Sequence, residues 1–396
     1  MDLILYPRQL RGEIQIIPSK SMAHRLLICA AFADIPTQLL CLESNRDIDA
    51  TADCLRALGA EIIRTEYGFW VSPAKTVPQN AVLNCCESGS TLRFLLPIVG
   101  ALGVTATFLM EGRLPQRPLS PLWEEMERMG CSLSRPTKDT VLCQGKLRPG
   151  NYTISGSVSS QYITGLLLAL SLQNQPSRLQ VTGKVESVPY IRMTEEVLKQ
   201  FKADPAQPGA RMLRSPGQVT VEGDWSNAAF WLTANALGCE LKITGLNPDS
   251  VQGDRAVRDL LPKLCKGCPV ISAADIPDLV PILCIAAASN QGAVFTDIQR
   301  LRLKESDRVA SVIAMVKALG GNASATDDTL TVSGGGLRGG TVDSVNDHRI
   351  AMSAAIAATV CKEPVILLGA EAVNKSYPQF WAEFARAGGC YEQYLR

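Results

Sequence analysis

A chain of 396 residues, 46% of them hydrophobic, is too long for one core and too apolar for disorder, so two packed domains are expected. With 39 Lys and Arg against 38 Asp and Glu, the net charge of +1 excludes a whole-surface field for nucleic acid or membrane, and any anion binding falls to local clusters. The longest apolar stretches, near 163–172 and 279–288, are too short for a bilayer, and MDLILYPRQLRGEI is no secretory leader. Thirteen Cys, an odd number, argue against a disulfide framework, and the expectation is a cytoplasmic protein with buried thiols.

In chain order, LILY reads as a strand, and PSKSMAHRLLICAAFA from Pro18 reads as a polar helix start running into an apolar helix. The same design returns at ESGSTLRFLLPIVGALG, SVSSQYITGLLLAL, DWSNAAFWLTANALG, DIPDLVPILCIAAA and VNDHRIAMSAAIAA. Between Ser19, Ser88, Ser159, Ser226, Asp275 and Asn346 the steps are 69, 71, 67, 49 and 71 residues. Amphipathic helices follow: DATADCLRALG, PLWEEMERMG, YIRMTEEVLKQF, DRAVRDLLPKLC, ESDRVASVIAMVKALG and YPQFWAEFARAGG, four of them stopping at Gly. Alternating runs such as EIIRTEYGFWVS, YTISG, LQVTG, LKITG and VILLG supply strands. The repeating unit is strand, buried helix, strand, surface helix and strand pair. The 49-residue step is read as loss of a strand pair after Leu264, where only CKGCPVISAA separates two helices.

Grouping the units by threes places a boundary near Glu222-Gly223 and a second crossing at Ile16-Ile17-Pro18. Residues 18–223 then form one half, and 1–17 with 224–396 the other. The segment ADPAQPGARMLRSPG at 203–217 reads as a Pro/Gly-rich loop.

Helix starts leave free N–H groups and the positive end of the dipole, so they suit anions. Lys20, Arg25, Arg308 and Arg349 all read as first-turn cations, which the dipole disfavours unless an anionic ligand relieves them. Arg93, Arg113, Arg117, Lys304 and Lys375 extend the set, and Ser159, Ser160, Gln161, Asp307, Asp347 and His348 lie at other helix starts. Guanidinium forks with ammonium point charges suit phosphate and carboxylate together. Each feature also has a plain structural reading: Ser at a helix start is an N-cap, and Glu305 with Arg308 an i,i+3 pair. Asp278 and Glu305 are the carboxylates set among cations, and Lys20 is an acid if its pKa is lowered by neighbours. No GxSxG, Walker A or helix-opening GxGxxG is present, and Cys265-Lys-Gly-Cys268 is a lone CxxC that lacks a second ligand pair.

At PSKSMAHR, SGSTLRFL, Arg117-Pro118, SSQYITGLLLA, Ser187–Ile191, VEGDWSNA, IPDL, LKESDR, NDHRIAM and NKSYPQF the chain resembles the 5-enolpyruvylshikimate-3-phosphate (EPSP) synthase family, in family order and over nearly the full length. The resemblance implies an inverse α/β barrel-like fold of two domains, each of three βαβαββ units, with the 18–223 half binding shikimate phosphate. It implies transfer of the enolpyruvyl group of phosphoenolpyruvate to the 5-hydroxyl of shikimate 3-phosphate, a shikimate-pathway step that releases phosphate, with no metal or organic cofactor. Carried over, Ser21 and Arg25 hold the shikimate part, Arg25 at its carboxylate. Ser159, Ser160, Ser187 and Lys304 hold the 3-phosphate, and Gln161 packs on the ring. Lys20, Gly89, Arg117 and Lys375 surround the phosphoenolpyruvate phosphate, while Arg308 and Arg349 grip its carboxylate; Gln161 also belongs to the phosphoenolpyruvate set, and Lys20 and Asp278 to that of shikimate 3-phosphate. Asp278 takes the hydroxyl proton, and Glu305 and Lys20 are candidates for protonating the methylene carbon. Ligands drawn from both halves imply a cleft that substrate closes. A monomer that binds neither nucleic acid nor membrane is expected.

Departures from the family pattern are Glu87, where many members have Asn, Arg300 for Asn or Gln, and the missing strand pair. Glu87 is expected either to oppose the substrate phosphate or to turn onto Arg93. The competing readings are a UDP-amino-sugar enolpyruvyl transferase, disfavoured because EGRLPQRP lacks a Cys, and a non-catalytic anion-binding relative.

Overall fold

The computed structural model describes residues 1–203 and 213–395, so most of the loop expected at 203–217 lies outside the described residues. The chain divides into two compact units, Pro18–Glu222 and Met1–Ile17 with Gly223–Arg396.

In the unit Pro18–Glu222, buried and surface helices alternate: α1 Lys20–Ala31, α2 Arg46–Ala57, α3 Gly89–Leu102, α4 Leu122–Arg128, α5 Ser160–Leu170 and α6 Val188–Gln200. α1, α3 and α5 are apolar on nearly every side and almost wholly buried, as all-round hydrophobicity requires. α2 buries Ile48, Ala52 and Leu55 at spacings of four and three and turns Arg56 outward. Each fully buried Leu or Ile stabilises the unit by about 1.5–3 kcal/mol. Two four-stranded sheets share one plan. Thr37–Leu40 lies between the parallel Gln218–Thr220 and the antiparallel Gly68–Ser72, with Glu61–Thr65 outermost. Asn80–Asn84, Thr105–Leu109, Thr140–Gly145 and Cys131–Ser134 repeat that order. A parallel pair, Asn151–Ser155 with Arg178–Thr182, flanks α5 in sequence.

The other unit carries α7 Trp225–Ala236, α8 Val257–Lys266, α9 Val280–Ser289, α10 Arg308–Ala318, α11 His348–Ala358 and α12 Phe380–Arg386. All of α11 is buried. Two four-stranded sheets again follow the plan, in the orders Val270–Ser272, Gly292–Thr296, Thr329–Ser333, Asn322–Ala325, and Gly340–Asp343, Val365–Leu368, Leu3–Tyr6, Cys390–Gln393. Glu240–Thr244 pairs in parallel with Arg11–Gln15. The N-terminal residues therefore complete two sheets whose other strands lie beyond residue 239. Between α8 and α9 stands the single strand Val270–Ser272, where α2, α4 and α10 are each followed by an antiparallel pair and a further strand. No described helix is long and apolar enough to cross a membrane.

Candidate active-site clusters

In the unit Pro18–Glu222 the starts of α1, α2 and α3 are tied by a buried polar chain. His24 Nδ1 and Thr51 Oγ1 are 2.7 Å apart, Thr51 and Thr91 hydroxyls 2.7 Å, and Thr91 Oγ1 donates to Ser88 Oγ at 2.7 Å. Lys20, first residue of α1, donates from Nζ to Asp47 Oδ2 in the first turn of α2 at 2.9 Å. Burial, with Lys20 and Arg25 nearby, holds His24 well below the usual histidine range, so its imidazole is neutral.

Arg25 corrects the first-turn expectation. It lies in the second turn of α1, where no intrahelical N–H is left over, and its side chain turns into the protein. Its Nε donates to Thr194 Oγ1 (2.9 Å), Nη1 to Ser21 O (2.6 Å), and Nη2 to Tyr190 O (2.9 Å) and Thr164 Oγ1 (3.3 Å). Its guanidinium carbon stands 5.1 Å from the Phe94 ring centroid. All these partners are neutral. The side chain is 2% exposed, and burial lowers its pKa to about 10, still protonated at neutral pH. Burying a charge on neutral partners alone is costly, and an anionic ligand offsets that cost.

Gly165 lets α5 meet α3 closely, since a Cβ there would stand 2.2 Å from Arg93 O. Gln161 bridges the gap. It accepts from Arg93 Nη1 at 2.8 Å and donates to Ser90 Oγ at 3.0 Å, while Arg93 Nη2 donates to Pro118 O at 3.1 Å. The Arg117 and Arg93 guanidinium groups lie against Gly89, the first residue of α3, so cations and helix dipole favour an anion together. Ser88 and Ser159 are N-caps, as the plain reading has it, accepting from Thr91 N and Gln161 N. Ser160 opens α5 and is buried, and Ser187 precedes α6 in the left-handed region at φ 56°. The loops before α5 and α6 are joined by Glu186 N donating to Gly156 O at 3.3 Å. The Glu87 carboxylate packs on Gly112, where a Cβ would meet its Oε2 at 2.6 Å.

In the unit Met1–Ile17 with Gly223–Arg396, four helix starts converge. Asp278 lies two residues ahead of α9 rather than within it, because Pro281 falls at the start of the helix. Its Oδ1 accepts from Arg308 Nη1 at 2.7 Å and its Oδ2 from Arg349 Nη2 at 2.9 Å, with Lys304 Nζ 3.8 Å from Oδ1. Glu305 accepts from Arg308 Nη2 at 2.7 Å, the expected i,i+3 pair. Arg308 Nε donates at 3.0 Å to Asp347, which also takes the Ser306 hydroxyl and caps α11 through Arg349 N. Arg349 further donates to Ser226 Oγ in α7 at 3.0 Å, and Ser226 donates to Asp224, the α7 cap. Lys375, almost buried, donates to Asn346 O at 2.8 Å. His348 opens α11 and is buried beside Asp347.

Burial alone disfavours the Asp278 carboxylate, but Arg349, Lys304 and Arg308 outweigh it and hold its pKa well below the ordinary value. Burial, aided by Arg308 and Arg300 and opposed by Asp278, brings Lys304 down to about 8. The cluster is thus a set of cations already balanced by internal carboxylates.

Thr51, Thr164, Thr194 and Asp47 were not singled out by the sequence reading. Thr51 and Thr164 carried a signal, a hydroxyl inside a helix between small or apolar neighbours, whereas Thr194 stands beside Glu195 and carried none. For Asp47 there was none, since first-turn acids are ordinary.

Buried guanidinium forks, one in the second turn of a helix on neutral partners and two at helix starts on carboxylates, define an α/β protein whose sites suit small, charged anions. The family model for EPSP synthase (3-phosphoshikimate 1-carboxyvinyltransferase) matches residues 5–268 and 265–384, and the chain belongs to that family. It is 35% identical to the 3-phosphoshikimate 1-carboxyvinyltransferase of Clostridium novyi and 36% identical to that of Clostridium beijerinckii, each match covering 99% of both chains. Among solved structures, an EPSP synthase from Acinetobacter baumannii superposes with a TM-score of 0.79 at 22% identity, covering 99% of this chain and 100% of that one. The enolpyruvyl transferase NikO from Streptomyces tendae gives a TM-score of 0.75 at 18% identity over 99% and 98% of the two chains. The two-domain α/β fold expected from the sequence is the fold of these proteins.

Proposed function

We propose that the protein transfers the enolpyruvyl group of phosphoenolpyruvate to the 5-hydroxyl of shikimate 3-phosphate, releasing phosphate through a tetrahedral addition–elimination intermediate. The observation that carries the reading is the Arg308–Arg349–Lys304 group around Asp278, with Glu305 on the same Arg308 fork, in a chain of this family. It supplies cations for anionic substrates and two carboxylates for proton transfer.

In this reading Arg25 and Ser21 hold the shikimate ring, Arg25 at its carboxylate, an anion that would balance the charge its neutral partners leave uncompensated. Ser159, Ser160, Ser187 and Lys304 take the 3-phosphate, and Gln161, fixed by Arg93 and Ser90, lies against the ring. Lys20, Gly89, Arg117 and Lys375 take the phosphate of phosphoenolpyruvate, and Arg308 and Arg349 its carboxylate. Asp278 removes the hydroxyl proton as oxygen attacks the vinyl carbon, and Glu305 or Lys20 protonates the methylene. The same carbon returns its proton as phosphate leaves. Two anions that repel each other in water are held together by fixed cations, and orientation of this kind is worth up to roughly 7–11 kcal/mol. Cations fixed before reaction stabilise the charge that develops on the leaving phosphate without reorganisation. The protein is read as acting as a monomer in the cytoplasm.

The test mixes the protein with shikimate 3-phosphate and phosphoenolpyruvate and measures free phosphate. Release that Lys20→Ala and Asp278→Ala nearly abolish supports the reading. Stable binding of both compounds without phosphate release would establish a binder instead.

A further inference from the structure

We propose that the carboxylate of incoming phosphoenolpyruvate exchanges with Asp278 and Glu305 on the Arg308 and Arg349 guanidinium groups, so that the base and the acid are released only once that substrate is bound. This rests on the enolpyruvyl-transfer reading above.

Arg308 carries three carboxylates, and they are not equivalent. Asp347, on Nε, is fully buried and is also committed to Ser306 and to the α11 cap, so it cannot leave without exposing a helix end. Asp278 and Glu305, on Nη1 and Nη2, have side chains 19% and 27% exposed, and the cap positions of α9 and α10 fall on Leu279 and Asp307 instead. The outward edge of the guanidinium, the one that suits a carboxylate in two-point contact, is therefore occupied by the two exchangeable groups. Arg349 meets the same Asp278 carboxylate through Nη2, which also donates to Ser226. Asp347 keeps Arg308 in place while its outer partners change.

The exchange has a chemical consequence. An Asp held by two guanidinium groups and approached by an ammonium is a weak base. The groups facing Asp278 are Arg308, Arg349, Lys304 and Glu305, with Asp347 and His348 behind them. Moving the two guanidinium groups onto a substrate carboxylate withdraws the charges that suppress basicity and adds a negative neighbour. Both changes raise the Asp278 pKa toward the range useful for proton abstraction.

Binding of phosphoenolpyruvate alone and of inorganic phosphate alone, measured by calorimetry on the whole protein, tests the exchange. Asp278→Asn removes the internal competitor, so it is expected to bind phosphoenolpyruvate about fivefold or more tighter while losing turnover, with phosphate affinity changed much less. Glu305→Gln, at a more exposed position, is expected to tighten phosphoenolpyruvate binding in the same direction and serves if the first variant fails to fold. Unchanged or weaker phosphoenolpyruvate binding overturns the exchange, and so does an equal gain for phosphate, which reports only a change in overall charge. In the wild type, the acid limb of kcat is expected at higher pH than that of kcat/KM for phosphoenolpyruvate. Coincident limbs in an enzyme that does release phosphate overturn the exchange and leave the reaction standing, whereas absence of phosphate release overturns the reaction itself.

Discussion

Gly89 and Arg117 meet at a point where only a hydrogen fits: a Cβ on Gly89 would lie 2.7 Å from Arg117 Nη1. Arg93 Nη1 is 2.8 Å from the same point, so a methyl group there must displace one guanidinium or both. Gly89→Ala is expected to push Arg117 off the α3 start and raise KM for phosphoenolpyruvate about tenfold, or ~1.4 kcal/mol, with kcat changed less. Steady-state kinetics with each substrate varied in turn checks this, and an unchanged KM would remove Arg117 from the phosphate site.

Arg25 separates binding from stability. Replacing a buried charge held by neutral groups with an apolar side chain of similar length is often neutral or stabilising. Arg25→Met is therefore expected to melt within a few degrees of wild type while KM for shikimate 3-phosphate rises by about two orders of magnitude, the scale of losing a buried charge pair. A large fall in melting temperature with unchanged KM would make Arg25 a structural residue.

His24 sets an acid limit on stability. Its folded pKa is lowered by burial first and by Lys20 and Arg25 after, whereas the unfolded value is ordinary. Below about pH 6.5 the unfolded chain binds a proton that the folded one refuses, so stability falls by up to ~1.4 kcal/mol per pH unit down to the folded pKa. The difference in melting temperature between wild type and His24→Gln, followed from pH 7.5 to 5, should grow in the variant's favour as pH falls. A constant difference would mean that His24 does not titrate in this way.

Lys304 sets an alkaline limit on binding. With its pKa at about 8, it loses its charge as pH rises through that value, and with the charge goes its attraction for a phosphate. Shikimate 3-phosphate affinity should weaken above pH 8 in wild type and hold in Lys304→Arg, whose guanidinium stays protonated. Titrations at pH 7 and 9 decide it, and parallel pH dependence in both proteins would place the effect elsewhere.

Asp347→Ala should be the costly change in the Arg308 network. It leaves Arg308 Nε buried without its carboxylate and uncaps α11. A loss of about 3–5 kcal/mol by denaturant unfolding is expected from the broken buried pair. A loss below about 1 kcal/mol, the scale of an exposed pair, would show the tether to be slack.

Much of the fold was legible because its signals are local. Six apolar helices with polar starts, surface helices stopped by Gly, and short alternating strands are all set by neighbours a few residues apart. The candidate site was legible as composition at helix starts, but its pairings were not. Asp347 reads like Asp278 in the sequence, yet one is a sealed tether and the other an outward-facing carboxylate, because register along α11 and the loop before α9 places them differently. Arg25 was placed one turn too early, and the threonines that receive it stand about 140 and 170 residues away, a distance no local pattern spans.

The N-terminal strands carry a consequence for biosynthesis. Leu3–Tyr6 and Arg11–Gln15 are made ahead of the 18–222 segment, but their partners are Glu240–Thr244, Val365–Leu368 and Cys390–Gln393. At about 5–20 residues per second, the first strand waits roughly 20–70 s for its neighbours. Meanwhile the 18–222 segment emerges with all the strands of its own sheets and can fold. The nascent chain must therefore keep a short apolar strand unpaired from before residue 18 until beyond residue 365, which makes Leu3–Tyr6 a point of exposure to aggregation and to chaperone capture.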